Sequence, residues 1–173
     1  MNKSCLIIID MQNGILKLKN GVFYVDSIIK YSEICVKHAI DNYSQVILTQ
    51  HENKSFLLKH SEDWELIDSV KKYSAKTYVL EKKYPSIYKD TGLQDYLRRI
   101  GITDIYIGGL ISNGCVKEAC LDSIKHGYNV HLLEDCHSTF YANAKKIITD
   151  VNKELEKVGV DLVSTPSFVE NYA

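Results

Sequence analysis

The sequence predicts an α/β fold: a parallel sheet with helices on both faces. Three observations carry that prediction. Short apolar runs alternate with longer amphipathic stretches along nearly the whole chain. The apolar runs are continuous, as expected of strands covered on both sides. Charged or thiol-bearing residues follow the ends of several runs, where open sheets of this kind place their ligand crevice.

The elements follow in order. "CLIIID" (5–10) reads as a buried strand. "VDSIIKYSEICVKHAIDNY" (25–43) has apolar residues at Ile28, Ile29, Ile34, Val36, Ala39 and Ile40, the period of a helix. "QVILT" (45–49) and "TYVLE" (77–81) are the second and third strands. "TGLQDYLRRIG" (91–101) is a helix stopped by Gly101. "DIYIGGL" (104–110) is the fourth strand. "CVKEACLDSIKHG" (115–127) reads as a helix with Val116, Ala119, Cys120 and Ile124 on one face, ended by Gly127. "NVHLLED" (129–135) is the fifth strand, "YANAKKIITDVNKELEKVG" (141–159) a long helix and "VDLVS" (160–164) the sixth strand.

Composition bounds the function. The 173 residues suit one domain, 1–173, with a full core. A hydrophobic share of 45% and a charged share of 25% are those of an ordinary soluble globular protein. A net charge of -1 gives no reason to expect nucleic acid or an anionic membrane as partner. The apolar run Cys5–Ile9 is too short for a signal-peptide core or a membrane span. Five cysteines without CxxC spacing fit a reducing, cytoplasmic setting.

The strand ends carry the chemistry. Asp10 follows the first strand, Lys82 and Lys83 the third, "LISNGCV" the fourth and Asp135 the fifth. A charge at a strand end often marks only the point where the chain meets water, so the joint occurrence of acid, base and thiol is the signal. Cys5, Cys35, Cys120 and Cys136 read as small buried hydrophobes. Cys115 differs, because it follows a loop and opens a predicted helix. Unpaired N–H groups there, with a lysine nearby, predict a lowered thiol pKa and a place to hold an oxyanion.

The set "IIDMQN", "KKYPSIYKDTGLQDYL", "IYIGGLISNGCVKEACLDSIKHGYNV" and "LLEDCHST" resembles the isochorismatase-like cysteine hydrolases, which include nicotinamidases. The resemblance covers essentially the whole chain. It implies a three-layer, doubly wound, Rossmann-like fold with a six-stranded parallel sheet in the order 3-2-1-4-5-6. It implies Asp10 as acid/base, Cys115 as nucleophile and Lys82 as their lysine, with Lys83 the alternative one residue on. It also implies a cis peptide at Leu110–Ile111, turning the Ile111 N–H toward the Cys115 N–H to form an oxyanion hole. Gln12, in the Asp-x-Gln motif, and His51, Trp64 and Tyr88 are candidates for the pocket. Trp64 could equally anchor its loop.

Departures from the family pattern shape the expectation. Ile87-Tyr88 replaces the usual Ala-Phe, and Ser112 stands where Thr is common. Nicotinamidases bind a metal through an Asp-x-His segment and a further His. Here Thr49 occupies the Asp station, leaving His51 and His60, so no metal and no other cofactor is expected. A cysteine nucleophile favours acyl chemistry, cleavage of a C–N bond in a small amide or related molecule. Isochorismatase-type vinyl-ether hydrolysis and a non-catalytic scaffold are the alternatives. The family commonly forms homodimers or homotetramers, which the resemblance implies here. The tail residues Phe168, Val169 and Tyr172 need something to pack on, either a neighbouring subunit or the chain's own domain.

Overall fold

The computed structural model describes residues 3–18, 21–42 and 44–171. Six strands form one sheet: β1 (Ser4–Ile9), β2 (Gln45–His51), β3 (Tyr78–Lys82), β4 (Asp104–Leu110), β5 (Asn129–Ser138) and β6 (Asp161–Val163). Their order is β3-β2-β1-β4-β5-β6, and every neighbouring pair is parallel. The expected doubly wound order is therefore observed. The helices are α1 (Asn13–Leu16), α2 (Val25–Asp41), α3 (Asp68–Lys71), α4 (Leu93–Ile100), α5 (Lys117–Lys125), α6 (Ala144–Lys157) and α7 (Thr165–Asn171).

The pleat divides each strand between two cores. Leu6 and Ile8 of β1, with Val46 and Leu48 of β2, pack against α2 residues Cys35, Val36 and Ala39 and against Phe168 of α7. Cys5, Ile7 and Ile9 face the other way, toward Leu93 and Leu97 of α4, Ala119 and Cys120 of α5, and Val151 and Leu155 of α6. The result is three layers, which explains why the strands are apolar on both faces.

Gly109 sets how closely β4 approaches β1. It pairs with Ile9 at φ +110, and a Cβ there would lie 2.2 Å from the Ile9 carbonyl oxygen. Only glycine fits. This close approach brings the ends of the two central strands together.

Several boundaries differ from the sequence expectation; β2 runs on to His51 and α6 opens only at Ala144. β5 runs to Ser138, three residues past Asp135. The helix expected to open at Cys115 begins at Lys117, because the backbone of Gly114 (φ −133, ψ −117) breaks the spiral and leaves Ser112–Val116 as a separate wide turn. The tail forms α7 and folds back on its own chain, with Phe168 only 1% exposed. Its burial needs no neighbouring subunit. Tyr43 and Tyr172 lie outside the described residues.

Candidate active site

Asp10 leaves β1 in the left-handed region, at φ 47, and is buried. Two side chains hold its carboxylate. Thr49 of β2 donates its hydroxyl to Asp10 Oδ1 at 2.5 Å and accepts the Asp10 N–H at 3.0 Å. Lys82, closing β3, donates to Asp10 Oδ2 at 2.8 Å. The Lys82 Nζ also lies 3.4 Å from the Cys115 Sγ, 3.2 Å from the Tyr84 carbonyl and 3.3 Å from the His51 Nδ1. Strands β3, β2, β1 and β4 thus bring Lys82, Thr49, Asp10 and Cys115 to one point. Lys83 turns away and pairs with Glu52 at 3.3 Å, with its side chain 71% exposed. Between the two lysines, only Lys82 faces the carboxylate.

The electrostatics follow from burial. Desolvation alone would pull the Lys82 ammonium down, but Asp10 and then Cys115 outweigh it, and its pKa is raised. Desolvation pushes the Cys115 thiol up to about 12; Asp10 adds to the rise and Lys82 partly opposes it. The expected lowering of the thiol pKa is therefore corrected. The helix-start reading did not anticipate the burial of the thiol or the nearby Asp10 carboxylate, both of which raise its pKa. At rest the site holds a neutral thiol beside an Asp–Lys ion pair.

The loop before Cys115 contains the expected cis peptide, Leu110–Ile111. Both Gly114 and Val116 donate their N–H groups to the Ile111 carbonyl, at 3.0 and 3.3 Å, so the turn closes on that residue. Cys115 is partly exposed, whereas Cys5, Cys35, Cys120 and Cys136 are fully buried.

The pocket candidates take different places. Gln12 is 0% exposed, donating to the His51 and Trp64 carbonyls at 2.9 and 2.6 Å and accepting the His51 N–H at 2.9 Å. It is a strut that fixes His51, and no wall of an open pocket. Trp64 is buried in the core with His60 edge-on to its ring at 5.5 Å, so it anchors its loop. Tyr88 spends its hydroxyl on Ser123 of α5 at 2.7 Å, and desolvation raises its pKa. His51 is the candidate that reaches the site. Desolvation and then Lys82 lower its pKa, so its neutral ring can accept a hydrogen bond from the ammonium. A cavity of ≈ 420 Å³ opens beside Lys82, with Glu52, Glu81, Lys59 and Lys83 on its walls.

A nicotinamidase-type metal does not fit these residues. Thr49 is committed to Asp10, His51 faces an ammonium and His60 packs on Trp64. Among the described residues no group of three or more His, Cys, Asp or Glu side chains is arranged to hold a metal ion. Among the described residues, too, no helix is long and apolar enough to cross a membrane.

Sequence reasoning missed Thr49 as a partner of Asp10. The available signal was its place at the end of the strand beside Asp10, but a threonine inside an apolar run reads as an ordinary strand former.

Known proteins resemble this chain in sequence or in fold. Nicotinamidase 3 of Arabidopsis thaliana is 22% identical over 79% of this chain and 74% of its own length. A cysteine hydrolase from Pseudomonas syringae pv. phaseolicola superposes with a TM-score of 0.89 at 17% identity, covering 97% of this chain and 91% of that one. N-carbamoylsarcosine amidase from Thermoplasma acidophilum gives 0.83 at 20% identity, covering 94% and 96%. The family described as "Isochorismatase domain" matches residues 4–165, from β1 to the start of α7. The chain belongs to the isochorismatase family.

Proposed function

We propose that this protein is a cysteine hydrolase that cleaves a C–N bond of a small amide through a thioester, with Asp10, Lys82 and Cys115 as its catalytic residues. The observation that carries the reading is the Lys82 ammonium, 2.8 Å from the Asp10 carboxylate and 3.4 Å from the Cys115 sulfur. The family tie supports amide chemistry, since relatives named nicotinamidase and maleamate amidohydrolase lie among the matches.

The steps follow from the charges. The neutral Cys115 thiol gives its proton to Asp10 as sulfur attacks the substrate carbonyl. Lys82 stabilises the thiolate. The N–H groups of Ile111 and Cys115 hold the oxyanion. Asp10 then returns the proton to the leaving nitrogen, and ammonia or an amine departs. Water, losing a proton to Asp10, hydrolyses the thioester and restores the thiol. Thr49 holds one carboxylate oxygen, and Lys82 holds the other. The mixed charges around the adjoining cavity suit a small polar substrate. Residues 1–173 act as one domain, in the cytoplasm, as a homodimer or homotetramer.

A panel of small primary amides, scored for ammonia release before and after thiol alkylation, tests the reading. Release that alkylation abolishes, and that dialysis against a strong chelator leaves unchanged, is the expected result. No release from any amide, or turnover that survives complete alkylation of Cys115, contradicts it and favours the vinyl-ether or scaffold alternative.

A further inference from the structure

The loop that carries Cys115 is held from behind by a second polar cluster. His137, near the end of β5, is 2% exposed. Its Nδ1 lies 2.8 Å from the Ser112 hydroxyl, and its Nε2 lies 2.8 Å from Oδ1 of Asn152 on α6. An amide oxygen only accepts, so Nε2 carries the ring proton. Burial keeps the ring neutral, its pKa pushed down to about 4. Nδ1 therefore has a free lone pair, and Ser112 donates to it. The chain of donors runs from Ser112 to His137 to Asn152. Next to it, Thr139 donates to the Asn113 side-chain oxygen at 3.1 Å.

Ser112 sits between the two residues whose N–H groups form the oxyanion hole of the proposed reaction, directly after Ile111 and three before Cys115. It is 0% exposed, and its hydroxyl reaches no atom of Asp10, Lys82 or Cys115 in the hydrogen bonds of the site. Burying an imidazole in place of an apolar side chain is unfavourable unless its hydrogen bonds have a use. Here one bond ends on the turn that aims the nucleophile and the other on α6, so the ring ties that turn to the helix behind it.

From this geometry we infer that His137 is a positioning residue for the acyl-transfer site: it fixes Ser112, and through it the Ile111 and Cys115 amides, while Asn152 sets the ring's tautomer and with it the direction of the Ser112 bond. The inference rests on the amidase reading for its catalytic consequence, but the positioning can be read without a substrate. Without the Asn152 acceptor the ring proton can move to Nδ1, and the Ser112 hydroxyl must then turn from donor to acceptor, which re-aims it on the turn.

Two substitutions on α6 test it away from the loop itself. Asn152→Leu removes the acceptor, and Asn152→Asp keeps it. Nitrogen-15 spectra of the histidine ring and of the backbone amides are recorded for the parent and both variants. The parent is expected to show His137 protonated at Nε2. In Asn152→Leu the Ile111 and Cys115 amide resonances should shift; in Asn152→Asp they should return toward the parent positions. With an amide that the parent hydrolyses, Asn152→Leu should lower kcat about tenfold at unchanged KM, because the reacting groups are misplaced while binding persists; Asn152→Asp should recover most of the loss. Loop amides that do not move in Asn152→Leu, a parent ring protonated at Nδ1, or a kcat that follows thermal stability alone in both variants would overturn the inference. A parent that hydrolyses no amide overturns the amidase reading instead, and the spectra still decide the positioning.

Discussion

Two aspartates at the ends of apolar runs, alike in sequence, do opposite work. Asp10 follows β1 directly, and Asp135 ends the apolar run of β5, three residues before that strand stops at Ser138. Asp135 gives its Oδ1 to the N–H and hydroxyl of Thr165, at 2.8 and 2.7 Å, and so ties the start of α7 to β5. Its surroundings complete a structure. Asp10 has Thr49 on one oxygen and an ammonium on the other, and that ammonium reaches a partly exposed sulfur. What separates the acid of the proposed reaction from the structural one is not hydrogen bonding as such. It is whether the bonded network ends on an atom that a substrate can meet.

Breaking the Asp10 side should have the largest effect. Asp10→Asn cannot take the thiol proton, and turnover should fall roughly 10³-fold with the fold retained, as steady-state rates and circular dichroism would show. Lys82→Ala comes next, with a loss of about 10²-fold, because the charge that stabilises the thiolate is gone. Lys83→Ala is its control and should stay near parental activity, since Lys83 pairs with Glu52 at the surface. A dead Lys83→Ala beside an active Lys82→Ala would reverse the assignment.

The Asp135 side should answer in stability. Asp135→Ala loses two hydrogen bonds to a carboxylate and should destabilise the protein by about 2 kcal/mol in denaturant titration, with kcat held within a factor of about three. A large loss of kcat at intact stability would erase the contrast between the two acids. The same half of the sheet should show a pH dependence. His137 is neutral in the folded protein down to about pH 4, whereas its ordinary value is 6.5. Between those values the unfolded chain binds a proton that the folded chain refuses. Stability should therefore fall as pH drops from 6.5 to about 4 and level off below, a contribution of about 3 kcal/mol. Denaturant titrations of the parent and His137→Gln across that range should differ by this slope.

How much of this was legible in the sequence depends on range. Strands β1, β2, β4 and β5 could be read because burial on both faces leaves continuous apolar runs. Asp10, Lys82 and Cys115 could be picked because each follows a strand and matches a family motif. Side-chain partnerships across the sheet left no such trace. Thr49 meets Asp10 across 39 residues, and His137 joins Ser112 and Asn152 across 25 and 15. Each of these residues alone suits its element without the bond. The Cys115 environment was half legible: the turn into α5 was visible, but the burial that raises the thiol pKa comes from packing. The tail showed its need for cover through Phe168, but not that α2 and the sheet supply it.

The central claim is that Cys115 is the reactive thiol of the Asp10–Lys82 site. Limited alkylation at neutral pH, peptide mapping of the label and ammonia release measured on the same samples test it most directly. The account predicts that label enters Cys115 before the four buried cysteines and that activity falls in proportion to Cys115 modified. Label entering Cys120 or Cys136 first, or full activity with Cys115 completely modified, would contradict it.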